Sequence, residues 1–221
     1  MNTYQDSIAE IAAELAHEVK NPLSLVRANI DLLELTDSND SRAKNYRVMR
    51  RELTRINNLM TDFTRLSRPV TKTERVSLPR LMRQLIDDMR PALTNVSVYL
   101  DSEDAAPVVM GDGEALRRVF QNILKNAAES VEQTGRIDGE ITADISVKTG
   151  FARVSVADNG AGCDDELLER INGRSPFRTT KPSGTGLGVY ISRRIIEEHG
   201  GSLVYERNET GGLTAAVELP K

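Results

Sequence analysis

Near residue 70 the hydrophobic rhythm of the chain changes, and that change limits the available folds more than any other feature. Before it, Ile8, Ile11, Leu15 and Val19, then Val26, Ile30 and Leu33, recur at helical spacing. A polar break, Thr36-Asp37-Ser38-Asn39-Asp40, follows. Tyr46, Met49, Leu53, Ile56, Met60 and Phe63 then alternate steps of three and four. Such a seam keeps one stripe facing a partner helix. Two helices joined by a short loop make an αα-hairpin, which has little interior of its own. A second copy would bury the seams best, giving a homodimeric four-helix bundle. Packing against the rest of the same chain is the alternative.

Beyond a linker, Arg68-Pro69-Val70-Thr71-Lys72-Thr73, helices and strands alternate. Leu81, Leu85, Ile86 and Met89 mark a helix opened by Pro79, a residue suited to a first turn. Val96, Val98 and Leu100 alternate like a strand, as do Ile141, Ala143, Ile145 and Val147, and then Val154 and Val156. Amphipathic helices are expected over about 112–131 and 187–199, the second closed by Gly200-Gly201. Strands over 202–206 and 213–219 flank a turn containing Gly211-Gly212. The expected class is α+β, a mixed sheet with helices on one face. The expected domains are 1–70 and 71–221, within what 221 residues allow.

Composition excludes several classes of function. A net charge of −4 argues against a nucleic-acid binder. The single cysteine, Cys163, rules out an internal disulfide framework and suits a reducing compartment. No apolar run approaches the ~18 residues of a membrane helix, so no membrane segment and a cytoplasmic location are expected.

Three features of the second region fit together. Asn122 and Asn126 are four residues apart on one helix face. An amide oxygen can ligate Mg²⁺ while its nitrogen donates to phosphate. Asp158-Asn159-Gly160-Ala161-Gly162 follows a strand; the carboxylate can accept from an exocyclic amine, and the glycines let backbone approach a flat ring. Taken alone it also reads as a plain Asx turn. Ser183-Gly184-Thr185-Gly186-Leu187-Gly188 opens a helix and presents backbone N–H groups to a phosphate. It is neither the dinucleotide fingerprint nor a P-loop. Pro176-Phe177-Arg178-Thr179-Thr180-Lys181-Pro182 supplies cations and hydroxyls on a loop long enough to close over a triphosphate.

The first helix carries His17-Glu18-Val19-Lys20-Asn21-Pro22-Leu23. Neutral imidazole is a nucleophile near neutral pH, and an adjacent carboxylate can hold its tautomer and take the ring proton. Pro22 bends the helix there.

In these segments the chain resembles the two-component sensor histidine kinases. His17 through Leu23 is similar to their H box, Asn122 and Asn126 to the N box, and Asp158, Gly160 and Gly162 to the first glycine box. Pro176-Phe177 is similar to the F box, and Gly184, Gly186 and Gly188 to the second glycine box. The boxes occur in the family's order over almost the whole chain, and the short lid resembles the nitrogen-regulatory and sporulation branch.

The resemblance implies an N-terminal helical hairpin forming a dimeric four-helix bundle, then a GHKL-type α/β sandwich that binds ATP. His17 would accept the γ-phosphoryl group and pass it to an aspartate of a response regulator receiver domain. Glu18 would be the general base, and Asn21 would position water for dephosphorylating the regulator. Asn126 would ligate Mg²⁺, Asn122 would support the phosphates, and Asp158 would read the adenine amine. The backbones of Gly160, Gly162, Gly184, Gly186, Leu187 and Gly188 would hold ring and phosphates. Thr180, Lys181 and Thr185 would touch phosphate.

There are departures. Cys163 stands where a larger aliphatic residue is usual, and reads as a small buried hydrophobe rather than a redox sensor. His199, in a last helical turn where a cation suits the dipole, reads as structural. The basic run Arg42, Lys44, Arg47, Arg50, Arg51 and Arg55 reads as a solvated face that could help dock an acidic regulator. Only 16 residues precede His17, so the signal is expected from a separate sensor protein or a missing N-terminal sensor domain. The alternative function is a histidine phosphotransferase or phosphatase-dominant adaptor with a scaffold-like nucleotide domain. A chaperone or mismatch-repair ATPase of the same superfamily would lack the H-box hairpin.

Overall fold

The computed structural model describes residues 19–20, 23–35, 40–66, 73–93, 96–102, 106–173 and 188–221. The chain divides into two compact units.

The first unit is helical. Helix α1 covers residues 23–35 and α2 covers Asp40–Leu66. Ile30 and Leu53, one from each seam, are each only 6% exposed. Other seam positions stay open: Val26, Leu33, Met49 and Ile56 are 37–51% exposed. Arg50 leaves the solvated run, because its Nη2 donates to Asp31 Oδ1 at 2.7 Å and also to Glu34 Oε2. That link joins α2 to α1.

The second unit is built on a five-stranded mixed sheet of order β2-β4-β5-β7-β6. Its strands are β2 Val96–Ser102, β4 Gly139–Lys148, β5 Phe151–Asp158, β6 Ser202–Arg207 and β7 Leu213–Pro220. Strands β2 and β4 run parallel, and every other neighbouring pair is antiparallel. A separate antiparallel pair joins β1 Glu74–Ser77 to β3 Val108–Gly111. Helices α3 Leu78–Met89, α4 Gly113–Thr134 and α6 Gly188–Glu198 bring apolar faces to the sheet, and α5 Asp165–Asn172 lies on the chain between β5 and α6. Alternation along β4 turns Ile141, Ala143 and Ile145 into the core, where each is fully buried. Phe120, Leu116 and Leu124 of α4 meet them from the helix side. Burying each such side chain contributes about 1.5–3 kcal/mol.

Several observed elements extend past the expected bounds, whereas α6 runs only over Gly188–Glu198. Helix α4 continues to Thr134 and stops where Gly135 turns left-handed at φ 65°. The pair β1–β3 and helix α5 were not expected. Each of those strands has four residues, too few for a legible alternation. Helix α5 has no fully buried residue to mark a core face.

Candidate functional site

Helix α4 carries the site, and its start is fixed from two sides. The Asp112 carboxylate accepts from the Ala115 N–H at 3.0 Å, capping the helix. The Asp112 N–H in turn donates to His199 Nε2 at 2.9 Å, while His199 Nδ1 pairs with the Ile195 carbonyl at 2.7 Å. His199 is structural, its ring joining the end of α6 to the start of α4.

Asn122, Asn126 and Ser130 follow one another at four-residue steps along one face of α4. The last two reach a cavity of about 50 Å³ walled by Ile123, Val156 and Leu213. Asp158, at the end of β5, lines the same cavity and is 6% exposed. Its Oδ1 accepts from the Gly160 N–H at 2.9 Å and from the Ser130 hydroxyl at 3.2 Å. Its backbone carbonyl accepts from Asn208 Nδ2 at 2.8 Å and Thr210 Oγ1 at 3.3 Å. A buried carboxylate needs such donors, and here they fix its position before any ligand arrives.

The first glycine box works through close approach. Gly162 has φ 61°, and a Cβ there would overlap the Gly211 carbonyl oxygen. At Gly160 a Cβ would overlap Ser130. Gly212, across from them, leaves no room for a Cβ beside the Asp158 carbonyl. Asn159 points elsewhere: its side chain accepts from the Glu140 N–H at 2.8 Å and donates to the Asp138 carbonyl at 2.9 Å.

Asn122 does not reach the cavity. Its Nδ2 donates to the Ser192 hydroxyl at 3.1 Å, and its side-chain atoms would lie 2.5–3.2 Å from a Cβ at Gly188. It thus joins α4 to the first turns of α6.

Tyr205 of β6 completes the cavity. Its hydroxyl is buried and has no hydrogen-bond partner by distance and angle. Burial pushes the phenol up to about 12, tempered by the nearby Asn126 amide and Arg193 guanidinium. Asn126 is therefore close to the hydroxyl without the geometry of a formed bond.

These residues fit a nucleotide carrying a divalent cation. A fixed, buried carboxylate in an apolar cavity suits a flat ring with an amino group. Among the described residues no cluster of His, Cys, Asp or Glu could hold a metal alone. Mg²⁺ typically takes one or two protein oxygens plus substrate phosphates, and the Asn126 amide oxygen suits that donor set. The orphaned hydroxyl beside Asn126 marks a site that a ligand would complete.

Of the sequence-predicted site residues, Asn122, Asn126, Asp158, Gly160, Gly162 and Gly188 cluster along α4 and its neighbours. His17, Glu18, Asn21, Thr180, Lys181, Gly184, Thr185, Gly186 and Leu187 lie outside the described residues, as does Pro176-Phe177. Sequence reading missed Ser130, Ser192 and Tyr205. Ser130 continues the four-residue step from Asn126, a signal that could have found it. Cys163 is partly buried and its thiol is pushed up, chiefly by burial, which disfavours the reactive thiolate.

Residues 111–221 match the family model of the histidine kinase-, DNA gyrase B- and HSP90-like ATPases. Residues 7–71 match that of the His Kinase A (phospho-acceptor) domain. The chain belongs to the histidine kinase family. The chain is 35% identical over 216 residues to sporulation kinase E of Bacillus subtilis (strain 168), covering 96% of the chain and 28% of that protein. The chain spans between about a quarter and a half of the length of the curated relatives it matches. Among solved structures, the catalytic domain of histidine kinase ThkA superposes with a TM-score of 0.61 at 30% identity, covering 68% of this chain and 97% of that one. Histidine kinase ThkA in complex with response regulator protein TrrA gives 0.70 at 28% identity, covering 96% of this chain and 61% of that one. The family and α+β fold of the chain are those that the boxes implied. No helix among its described residues is long and apolar enough to cross a membrane.

Proposed function

We propose that the chain is the phospho-acceptor and ATP-binding core of a two-component kinase, with domains over 1–70 and 71–221. It transfers the γ-phosphoryl group of ATP to His17 and then to an aspartate of a response regulator receiver domain. The observation that carries this reading is the cavity shared by Asn126 and the buried Asp158 carboxylate, within a chain matching both a phospho-acceptor and an ATPase model.

Asp158 accepts from the adenine amine, and the close backbone at Gly160, Gly162 and Gly212 shapes the slot for the ring. Gly184, Gly186, Leu187 and Gly188 supply backbone N–H groups toward the phosphates, with Thr180, Lys181 and Thr185 beside them. Asn126 holds Mg²⁺, which when bound neutralises phosphate charge. Asn122 acts through Ser192, setting α6 against α4. The neutral His17 imidazole attacks the γ-phosphorus, an N–P bond forms, the bond to the β-phosphate oxygen breaks, and ADP leaves. Glu18 takes the ring proton. Asn21 positions water when the same helix dephosphorylates the receiver.

A homodimer is supported by the open seam positions Val26, Leu33, Met49 and Ile56, which a second hairpin would cover. A receiver partner is supported by the likeness to ThkA, solved with its response regulator. Use of ATP and a receiver domain fits a cytoplasmic location. The adaptor alternative predicts a degraded nucleotide site, and the built cavity counts against it.

Phosphotransfer tests the reading. Chain labelled from γ-labelled ATP should lose its label to a receiver domain within a panel of response regulators, and Asn21→Ala should slow subsequent release from that receiver. A chain that binds ATP but never becomes labelled would support the adaptor.

A further inference from the structure

Tyr205 is placed with more care than a core-filling residue requires. It pairs directly with Ala215 across β6 and β7, and so small a neighbour leaves space for the ring. The Asn172 side chain clasps its backbone from both sides, accepting from the Tyr205 N–H at 2.9 Å and donating to its carbonyl at 2.8 Å. The residue is 6% exposed and lines the cavity, yet its buried hydroxyl, beside Asn126, has no hydrogen-bond partner. Phenylalanine would fill the same space without burying an unmatched polar atom.

We propose that Tyr205 is a positioning residue for Asn126, its phenolic oxygen accepting the Asn126 Nδ2–H so that Oδ1 is presented to the cation of a bound Mg²⁺–nucleotide. The inference rests on the reading of Asn126 as a cation ligand given above. A side-chain amide can present either end, and only its oxygen can ligate. The surroundings choose the end. The Asp158 carboxylate lines the same cavity and offers the hydroxyl proton an acceptor. The buried Arg193 guanidinium, held by the Ile171, Asn172 and Gly173 carbonyls, favours the negative end of the phenol dipole. With its proton turned to that acceptor, the phenol would offer Asn126 a lone pair, which matches N–H and not Oδ1.

The test is a Mg²⁺ titration of binding to a non-hydrolysable ATP analogue, beside binding of the same analogue in chelator, for wild type, Tyr205→Phe, Asn126→Ala and the double variant. In Tyr205→Phe the Mg²⁺ concentration for half-maximal binding should rise about fivefold, the size of one neutral hydrogen bond. Metal-free affinity and melting temperature should not fall. In the Asn126→Ala background, Tyr205→Phe should add nothing. A wild-type titration curve in Tyr205→Phe would overturn the proposal. So would an equal loss with and without Mg²⁺, or an effect that persists without Asn126. If wild type binds the analogue no better with Mg²⁺ than without, the cation role of Asn126 fails as well. That outcome is separable from failure of Tyr205 alone.

Discussion

The Asn122 side-chain amide donates to the Ser192 hydroxyl at 3.1 Å, tying the third turn of α4 to the second turn of α6. Sequence reading expected Asn122 to support the phosphates, and in the fold its amide donates to Ser192. Ser192→Ala should therefore weaken ATP-analogue binding about threefold to tenfold and cost about 1 kcal/mol of stability. Analogue titration with urea unfolding checks both; unchanged affinity would free Asn122 from this role.

Gly212 adjoins the Asp158 carbonyl so closely that a Cβ would overlap it. Backbone cannot swing aside as a side chain can. Gly212→Ala should cost about 1–3 kcal/mol by overpacking and should weaken nucleotide binding through displaced Asp158. Thermal unfolding beside nucleotide titration tests this, and full affinity with a normal melt would contradict it.

How far the sequence reveals these arrangements depends on local pattern. Helix α4 was legible because eight buried residues recur on one face, with the asparagines on another. The strands β4 to β7 alternate, so they were legible too. Strands β1 and β3 were not, since four residues paired across 30 intervening positions leave no local period. The glycine boxes were visible, but not what they approach: that Gly160 meets Ser130, or that Gly188 meets Asn122, depends on tertiary packing. Tyr205 in a strand reads as an ordinary core residue, and only the cavity reveals where its hydroxyl ends.

Tyr205 also makes an alkaline prediction. Its folded value is pushed up to about 12 from 10.0, so the neutral phenol is favoured in the fold. The stabilisation is fully present below pH ~10 and is lost as pH rises toward ~12, a maximum of about 3 kcal/mol. Wild type should lose stability across that window more steeply than Tyr205→Phe, in which other tyrosines and lysines still titrate. Equal slopes in pH-dependent urea unfolding would contradict this.

Arg50 bridges Asp31 and Glu34, with side chains 30–43% exposed. Water and salt screen such contacts, so Arg50→Ala should cost about 1 kcal/mol or less at low ionic strength and less still in ~1 M salt. Urea midpoints at both salt concentrations test this. An equal shift at both would assign the effect to packing of the arginine stem.

Labelling at His17 tests the central claim most directly. Chain incubated with γ-labelled ATP and Mg²⁺ should acquire acid-labile, alkali-stable label that maps to His17. His17→Gln should remain unlabelled while still binding the ATP analogue. Label that survives acid, or equal labelling of His17→Gln, would contradict the account.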